Sequence, residues 1–149
     1  MKKIKYTEED IFDHDGIVAV IKNKKGEILM QEHLKYGFWT IPVGKVKKGQ
    51  NIEEGLKEEM LEECNIVIEK SKELKTKRYT YKRKGVKVKV HVHLFEILNY
   101  KGRIKNNEPH KHKQQKFKSI DEVRELSYLS DVTLLYLEVL GFERKAHLK

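Results

Sequence analysis

The sequence predicts an α/β fold in which helices pack on a mixed sheet. Three observations carry that prediction. From Val86 to Leu94 the chain alternates strictly: Val86, Val88, Val90, Val92 and Leu94 share one face, and Lys87, Lys89, His91 and His93 share the other. Between Asn51 and Asn65 the pattern becomes helical, and it opens with a capping box in which Glu54 follows Asn51 by three residues. A second capped apolar segment, Ser130 followed by residues 131–140 and stopped by Gly141, predicts a C-terminal helix.

The elements follow in order. Met1, Lys2 and Lys3 lead into acidic Glu8, Glu9 and Asp10 rather than an apolar run, so no signal peptide is expected. Residues 16–22 (GIVAVIK) read as a buried strand. The turn Asn23-Lys24-Lys25-Gly26 leads to a strand over residues 27–33, and the pair is expected to form a hairpin. Residues 36–41 predict a short strand whose Trp39 either joins the core or stacks on a base. The helix should start near Ile52 and end near Cys64, with Asn65 tolerating the left-handed backbone of a stop. Two short strands are expected at residues 66–70 and 77–81. The turn Lys82-Arg83-Lys84-Gly85 then leads into a long strand over residues 86–98. Residues 101–116 form a polar, basic loop. Phe117 and a second capping box, Ser119 with Glu122, mark a strand-to-helix junction. The tail from Phe142 to Lys149 is basic and expected to fray.

Composition narrows the class. A chain of 149 residues with 38% hydrophobic and 37% charged residues is long enough for one substantial core. No stretch approaches the roughly 18 apolar residues of a membrane span. Cys64 is the only cysteine, which excludes an intrachain disulfide and a cysteine-based zinc site and fits a reduced, cytoplasmic setting. Its place on an apolar stripe makes it a core residue rather than a nucleophile. The net charge of +9 and pI near 9.4 suit a polyanionic partner or substrate, or serve solubility alone. The lysine-rich hairpin from Lys82 to His93 has the same two readings, a guide for phosphates or a strand face protected against unwanted pairing. His91 and His93 have the spacing of two metal ligands on one strand face, with no third ligand evident.

The chemistry concentrates between Trp39 and Ile66. On a wheel of about 100° per residue, Glu59, Glu62 and Glu63 fall within about 100° of arc, with Gly55 in the same sector. Leu56, Met60 and Cys64 form the neighbouring apolar stripe. Like charges three and four residues apart repel, so the face is either well solvated or neutralised. A hard divalent cation on carboxylate oxygens, Mg²⁺ or Mn²⁺, would neutralise it. In front of the helix, Pro42, Gly44 and Gly49 frame a turn carrying Lys45, Lys47 and Lys48. Close-approaching backbone, lysines and a helix N-terminus favour phosphate oxygen. Phosphate loop and carboxylate helix together point to metal-assisted pyrophosphate chemistry.

Gly44, Gln50, Glu58, Glu59, Met60, Glu62, Glu63, Asn65 and Ile66 stand, without a gap, where the Nudix hydrolases carry their signature box. The segment resembles that box, and Trp39-Thr40-Ile41-Pro42 resembles the strand leading into it. Val43 replaces the usual Gly, Gln50 a Glu, Glu58 an Arg and Asn65 a Gly. In the family, that Arg and Glu form an ion pair bracing loop against helix. Gln50 can donate an amide N–H to the Glu58 carboxylate in its place.

The resemblance covers nearly the whole chain and implies one Nudix-like domain over residues 1–149, an α/β/α sandwich. It implies a Mg²⁺-dependent pyrophosphohydrolase, with Mn²⁺ as a substitute, cleaving a nucleoside diphosphate linked to another group. Glu59, Glu62, Glu63 and the Gly44 carbonyl would hold metal, Lys45 would contact phosphate, and Glu59 or Glu62 would act as base. Family members often carry a further carboxylate in the late loop, where this chain has Gln114 with Glu108 the only acid nearby. Nucleoside triphosphates are the default substrates, with RNA 5′ ends and other polyphosphates open. The alternative is a weakened Nudix-fold protein that binds nucleotide or RNA without turnover. A stacking platform for RNA is not evident on the basic strand.

Overall fold

The computed structural model describes residues 11–142. The N-terminal acidic segment and nearly all of the basic tail lie outside them. The chain forms β1 (His14–Val20), β2 (Ile28–His33), β3 (Trp39–Thr40), β4 (Val43–Lys45), α1 (Ile52–Cys64), β5 (Val67–Arg83), β6 (Val86–Lys101), β7 (His112–Lys118), α2 (Ile120–Glu125) and α3 (Asp131–Val139).

Two sheets form the middle layer. One is mixed, in the order β4-β1-β6-β5, and the other is antiparallel, in the order β3-β2-β7. In the mixed sheet β1 runs parallel to β6, with His14 opposite Val90 and Val20 opposite Glu96, and antiparallel to β4. Alternation on β1 serves two cores. Ile17, Ala19 and Ile21 pack with Leu29 and with Leu56, Met60 and Cys64 of α1. Val18 and Val20 pack on the opposite side with Ile28, Met30, Val88, Val90 and Val92 of β6, and Leu134, Leu135 and Leu137 of α3. The result is the expected α/β/α layering.

The hairpin expected between the first two strands does not form. β1 and β2 meet only at their turn, through the Lys22–Ile28 bridge, and then diverge into different sheets. Both edges of β1 are already taken by β4 and β6, so no edge is left for β2. The strand expected at residues 36–41 shortens to Trp39–Thr40, and Val43–Lys45 forms a strand where a loop was expected. Thr40, Ser130 and Thr133 tie β3 to the start of α3: Ser130 Oγ donates to Thr40 Oγ1 at 2.7 Å and Ile41 N donates to Thr133 Oγ1 at 3.0 Å.

The two strands expected at 66–70 and 77–81 are one continuous β5 of 17 residues. Its middle is Lys/Glu-rich and exposed, with register shifts against β6 between Ile68 and Lys75, which hides the strand period. β5 is the sheet edge and β6 an interior strand, so the lysines of β6 do not protect an edge. The β5–β6 turn is Lys84-Gly85, with φ of 50° and 75°, the left-handed pair that a two-residue hairpin turn needs.

Candidate active site

Two glycines let β4 and α1 approach closely. A Cβ on Gly44 would lie 2.6 Å from both Cγ and Oε2 of Glu59, and one on Gly55 would lie 2.9 Å from Cγ2 of Val46. The absence of both side chains sets the Gly44 backbone beside the Glu59 carboxylate. α1 begins as the capping box predicts, with Asn51 Oδ1 accepting from Glu54 N at 2.8 Å and Glu54 Oε1 accepting from Asn51 N at 3.1 Å. It ends at Asn65, whose φ of 64° is left-handed.

The segment after β6 docks on that end and satisfies its carbonyls. Lys105 N donates to Cys64 O at 3.0 Å and Asn107 N to Glu63 O at 3.2 Å. This docking brings Glu108 and Lys111, an ion pair at 3.3 Å, to the acidic face of the helix. Both charges act on Glu59 and Glu63.

Burial raises the Glu59 carboxyl above its ordinary value; a hydrogen bond with Glu63 works against the shift, and the charge of Glu62 works with it. Glu63 is only 4% exposed. Burial pushes its carboxyl well above the usual range, and the neighbouring charges of Glu59 and Glu108 push it further. Its Oε1 is buried with no hydrogen-bond partner. Two crowded, part-desolvated carboxylates, one with an orphaned oxygen, lie beside a Cβ-free backbone. That donor set is hard, anionic and unsatisfied, and it fits a divalent cation with a preference for oxygen. Glu62, the third carboxylate of the face, is exposed at the rim with Oε1 3.7 Å from Lys47 Nζ.

Gln50 Nε2 donates to Glu58 Oε2 at 2.5 Å, linking loop to helix. Lys47 Nζ donates to Glu58 Oε1, so the same carboxylate also receives a cation from the loop. The Lys47 contact, first, and the Gln50 bond hold the Glu58 carboxyl below its ordinary value. Lys45 follows Gly44 on β4, and strand alternation sends its side chain to the opposite face from α1. Gln114 donates to Glu32 Oε1 at 2.9 Å across β7 and β2, while Glu108 is the late-loop acid that reaches Glu59 and Glu63. Cys64 is buried in the core beneath the helix, and burial raises its thiol far from reactivity. Trp39 packs against the core with Lys118 Nζ 4.7 Å from its ring centre.

Sequence reasoning missed Lys111 and the particular partner of Lys47. Both lie in lysine-rich loops where nothing in the spacing separates one lysine from its neighbours. It also missed Gln31, wholly buried beneath the site with Nε2 donating to Gln115 Oε1 at 2.9 Å. A glutamine directly after the apolar run Ile28-Leu29-Met30 was the available signal.

The site is thus a carboxylate-bearing helix closed onto a glycine-containing strand, within an α/β/α sandwich. A family profile described as NUDIX domain matches residues 13–135. An 8-oxo-dGTP diphosphatase of Buchnera aphidicola subsp. Schizaphis graminum is 32% identical over 99 residues, 65% of this chain and 72% of the relative. One from Buchnera aphidicola subsp. Acyrthosiphon pisum is 35% identical over 81 residues, 54% of this chain and 62% of the relative. Among solved structures, a MutT NUDIX hydrolase from Burkholderia pseudomallei shares the fold, with a TM-score of 0.72 and 24% identity over 86% of this chain and 98% of that one. The chain belongs to the Nudix hydrolase family. It is a pyrophosphohydrolase of the Nudix type.

Proposed function

We propose that the protein is a Mg²⁺-dependent hydrolase of nucleoside triphosphates, cleaving a phosphoanhydride bond to release a nucleoside monophosphate. The observation that carries this is the pairing of half-buried Glu59 with buried Glu63, whose Oε1 is unpartnered, with Gly44 set against Glu59. Glu59, Glu63 and the Gly44 carbonyl would hold the cation, with Glu62 completing the carboxylate set from the rim. A divalent cation bound there neutralises phosphate oxygens and acidifies water. The protein's own groups do the rest. Lys111, already oriented by Glu108, receives phosphate charge, whereas Lys45 lies on the other face of β4. Glu62, facing solvent, takes the proton from the attacking water, with Glu59 the alternative base. Gln50 and Lys47 hold Glu58 and so fix the loop over the helix. The names of the two Buchnera relatives make an oxidised purine triphosphate, 8-oxo-dGTP, the first substrate to test. The residues 1–149 would act as one domain.

The test is a panel of 8-oxo-dGTP, the ordinary nucleoside triphosphates, a dinucleoside polyphosphate and 5′-triphosphate RNA, each with Mg²⁺, with Mn²⁺ and with chelator. Metal-dependent release of nucleoside monophosphate is expected, lost in Glu59→Gln and Glu63→Gln. Glu62→Gln should lower kcat and weaken the apparent Mg²⁺ affinity less than Glu59→Gln or Glu63→Gln does. Turnover that survives Glu63→Gln, or binding without turnover across the whole panel, would overturn the proposal.

A further inference from the structure

A second group of metal-ligating side chains lies away from the Glu59–Glu63 pair. His91 and His93 are two residues apart on β6 and share a face. Asp15 of β1 is the parallel partner of His91 and faces the same way. His93 Nε2 lies 3.0 Å from Asp15 Oδ1, and His91 Nδ1 lies 3.7 Å from that same oxygen. The three ligand atoms all fall within 4.8 Å of one another. Ligands about 2.0–2.1 Å from a tetrahedral zinc ion sit about 3.3 Å apart, within the span of these separations.

We propose that Asp15, His91 and His93 form a binding site for a borderline divalent cation, Zn²⁺ foremost, distinct from the carboxylate site on α1. Two imidazoles and one carboxylate are a donor set that nitrogen-preferring metals favour and Mg²⁺ does not. The fourth residue of the group strengthens the assignment. Glu73 of β5 places Oε2 3.5 Å from His93 Nδ1. With a metal on Nε2, that carboxylate would accept from Nδ1–H, the arrangement that orients metal-bound histidines. His93 Nε2 is hydrogen-bonded to Asp15 Oδ1 at 3.0 Å, and a bound cation would take the place of the proton in that contact. The ring of His93 is nearly buried, whereas the side chains of Asp15 and His91 are 46% and 29% exposed, so an ion can enter from solvent. Three protein ligands leave a fourth position for water or an exchangeable ligand. The ion would tie together β1 and β6, which are distant in sequence.

The experiment is Zn²⁺ titration of the full chain against a chromophoric chelator in millimolar Mg²⁺, which keeps the oxygen site occupied. One Zn²⁺ per chain is expected in wild type. Asp15→Asn and His91→Ala, both at accessible positions, should each weaken that binding at least tenfold while circular dichroism stays unchanged. Co²⁺ in place of Zn²⁺ should give the visible absorption of a four-coordinate site, absent from His91→Ala. Zn²⁺ affinity equal in wild type and both variants would overturn the proposal. So would Zn²⁺ binding that is lost in Glu63→Gln but kept in His91→Ala, which would place the ion on α1. An unaltered melting profile on Zn²⁺ addition, with no stoichiometric binding, would leave the three side chains as a hydrogen-bonded cluster and would also overturn it.

Discussion

The Glu58 carboxylate is where this chain departs from its family and where the departure is compensated. Where relatives carry an Arg–Glu ion pair, Gln50 donates to Glu58 and Lys47 brings the missing positive charge. Gln50→Ala and Glu58→Ala should therefore be non-additive in a double-mutant cycle on kcat/KM. Additive losses would mean that the contact does not hold the loop. A second residue gives a pH signature. His112 is 3% exposed, its Nδ1 has no partner, and burial lowers its pKa from 6.5 to about 4, assisted by the charges of His33 and Lys111. A histidine whose folded pKa is depressed leaves the native state short of a proton that the unfolded chain takes up. Its contribution is present above pH 6.5 and lost as pH falls toward 4, a loss on the order of 1–3 kcal/mol. Wild type should destabilise over that window more than His112→Gln in paired urea melts, and parallel pH profiles would refute this. The separation of legible from illegible residues also has a physical origin. Glu59, Glu62 and Glu63 could be placed on one face because helical spacing is local. Asp15 could not be joined to His91 and His93, nor Glu108 to Glu63, because those meetings depend on strand register and loop docking between distant segments.

At the scale of elements, local chemistry and tertiary competition divide the chain in the same way. Both capping boxes and all three helices follow from short-range signals, and α1 and α3 have nearly the expected bounds. The strands were harder to read. β1 and β2 carry good hairpin chemistry at their turn, yet edge availability in the two sheets decides against pairing. β5 is longer than its pattern because hydrogen bonding to β6 continues through its polar middle. The turn that joins those strands contains an avoidable strain. Lys84 adopts a φ of 50°, a conformation that asparagine tolerates better than lysine. Lys84→Asn, which creates an Asn-Gly turn, should stabilise the protein by roughly 0.5–1 kcal/mol. Chemical denaturation would register this as a higher midpoint at constant slope, and an unchanged or lower midpoint would show that the turn does not limit stability.

The whole molecule carries its acidic site at a thermodynamic loss. Burial first, and then the charges of Glu59 and Glu108, raise the Glu63 carboxyl. A carboxyl raised in the folded state contributes stability that is complete below the unfolded value and lost as pH rises through the folded one. At neutral pH the metal-free protein should therefore melt below its Glu63→Gln variant, and the difference should shrink on acidification. Mg²⁺ at 100 times its dissociation constant should restore about 2.7 kcal/mol to wild type and little to the variant. Equal melting temperatures with and without Mg²⁺ would count against a cation at Glu63. The parallel pairing of β1 with β6 reaches further, into the order in which the molecule can assemble. β1 is translated well before its parallel neighbour, which is not available until Val90 and the residues after it have been made. Until then its apolar side chains lack half their sheet, whereas β5 and β6 can close on each other as soon as their turn has emerged. The nascent chain thus holds its central strand in waiting for a hairpin translated later, and that interval is when the strand is most exposed to chaperones and to aggregation.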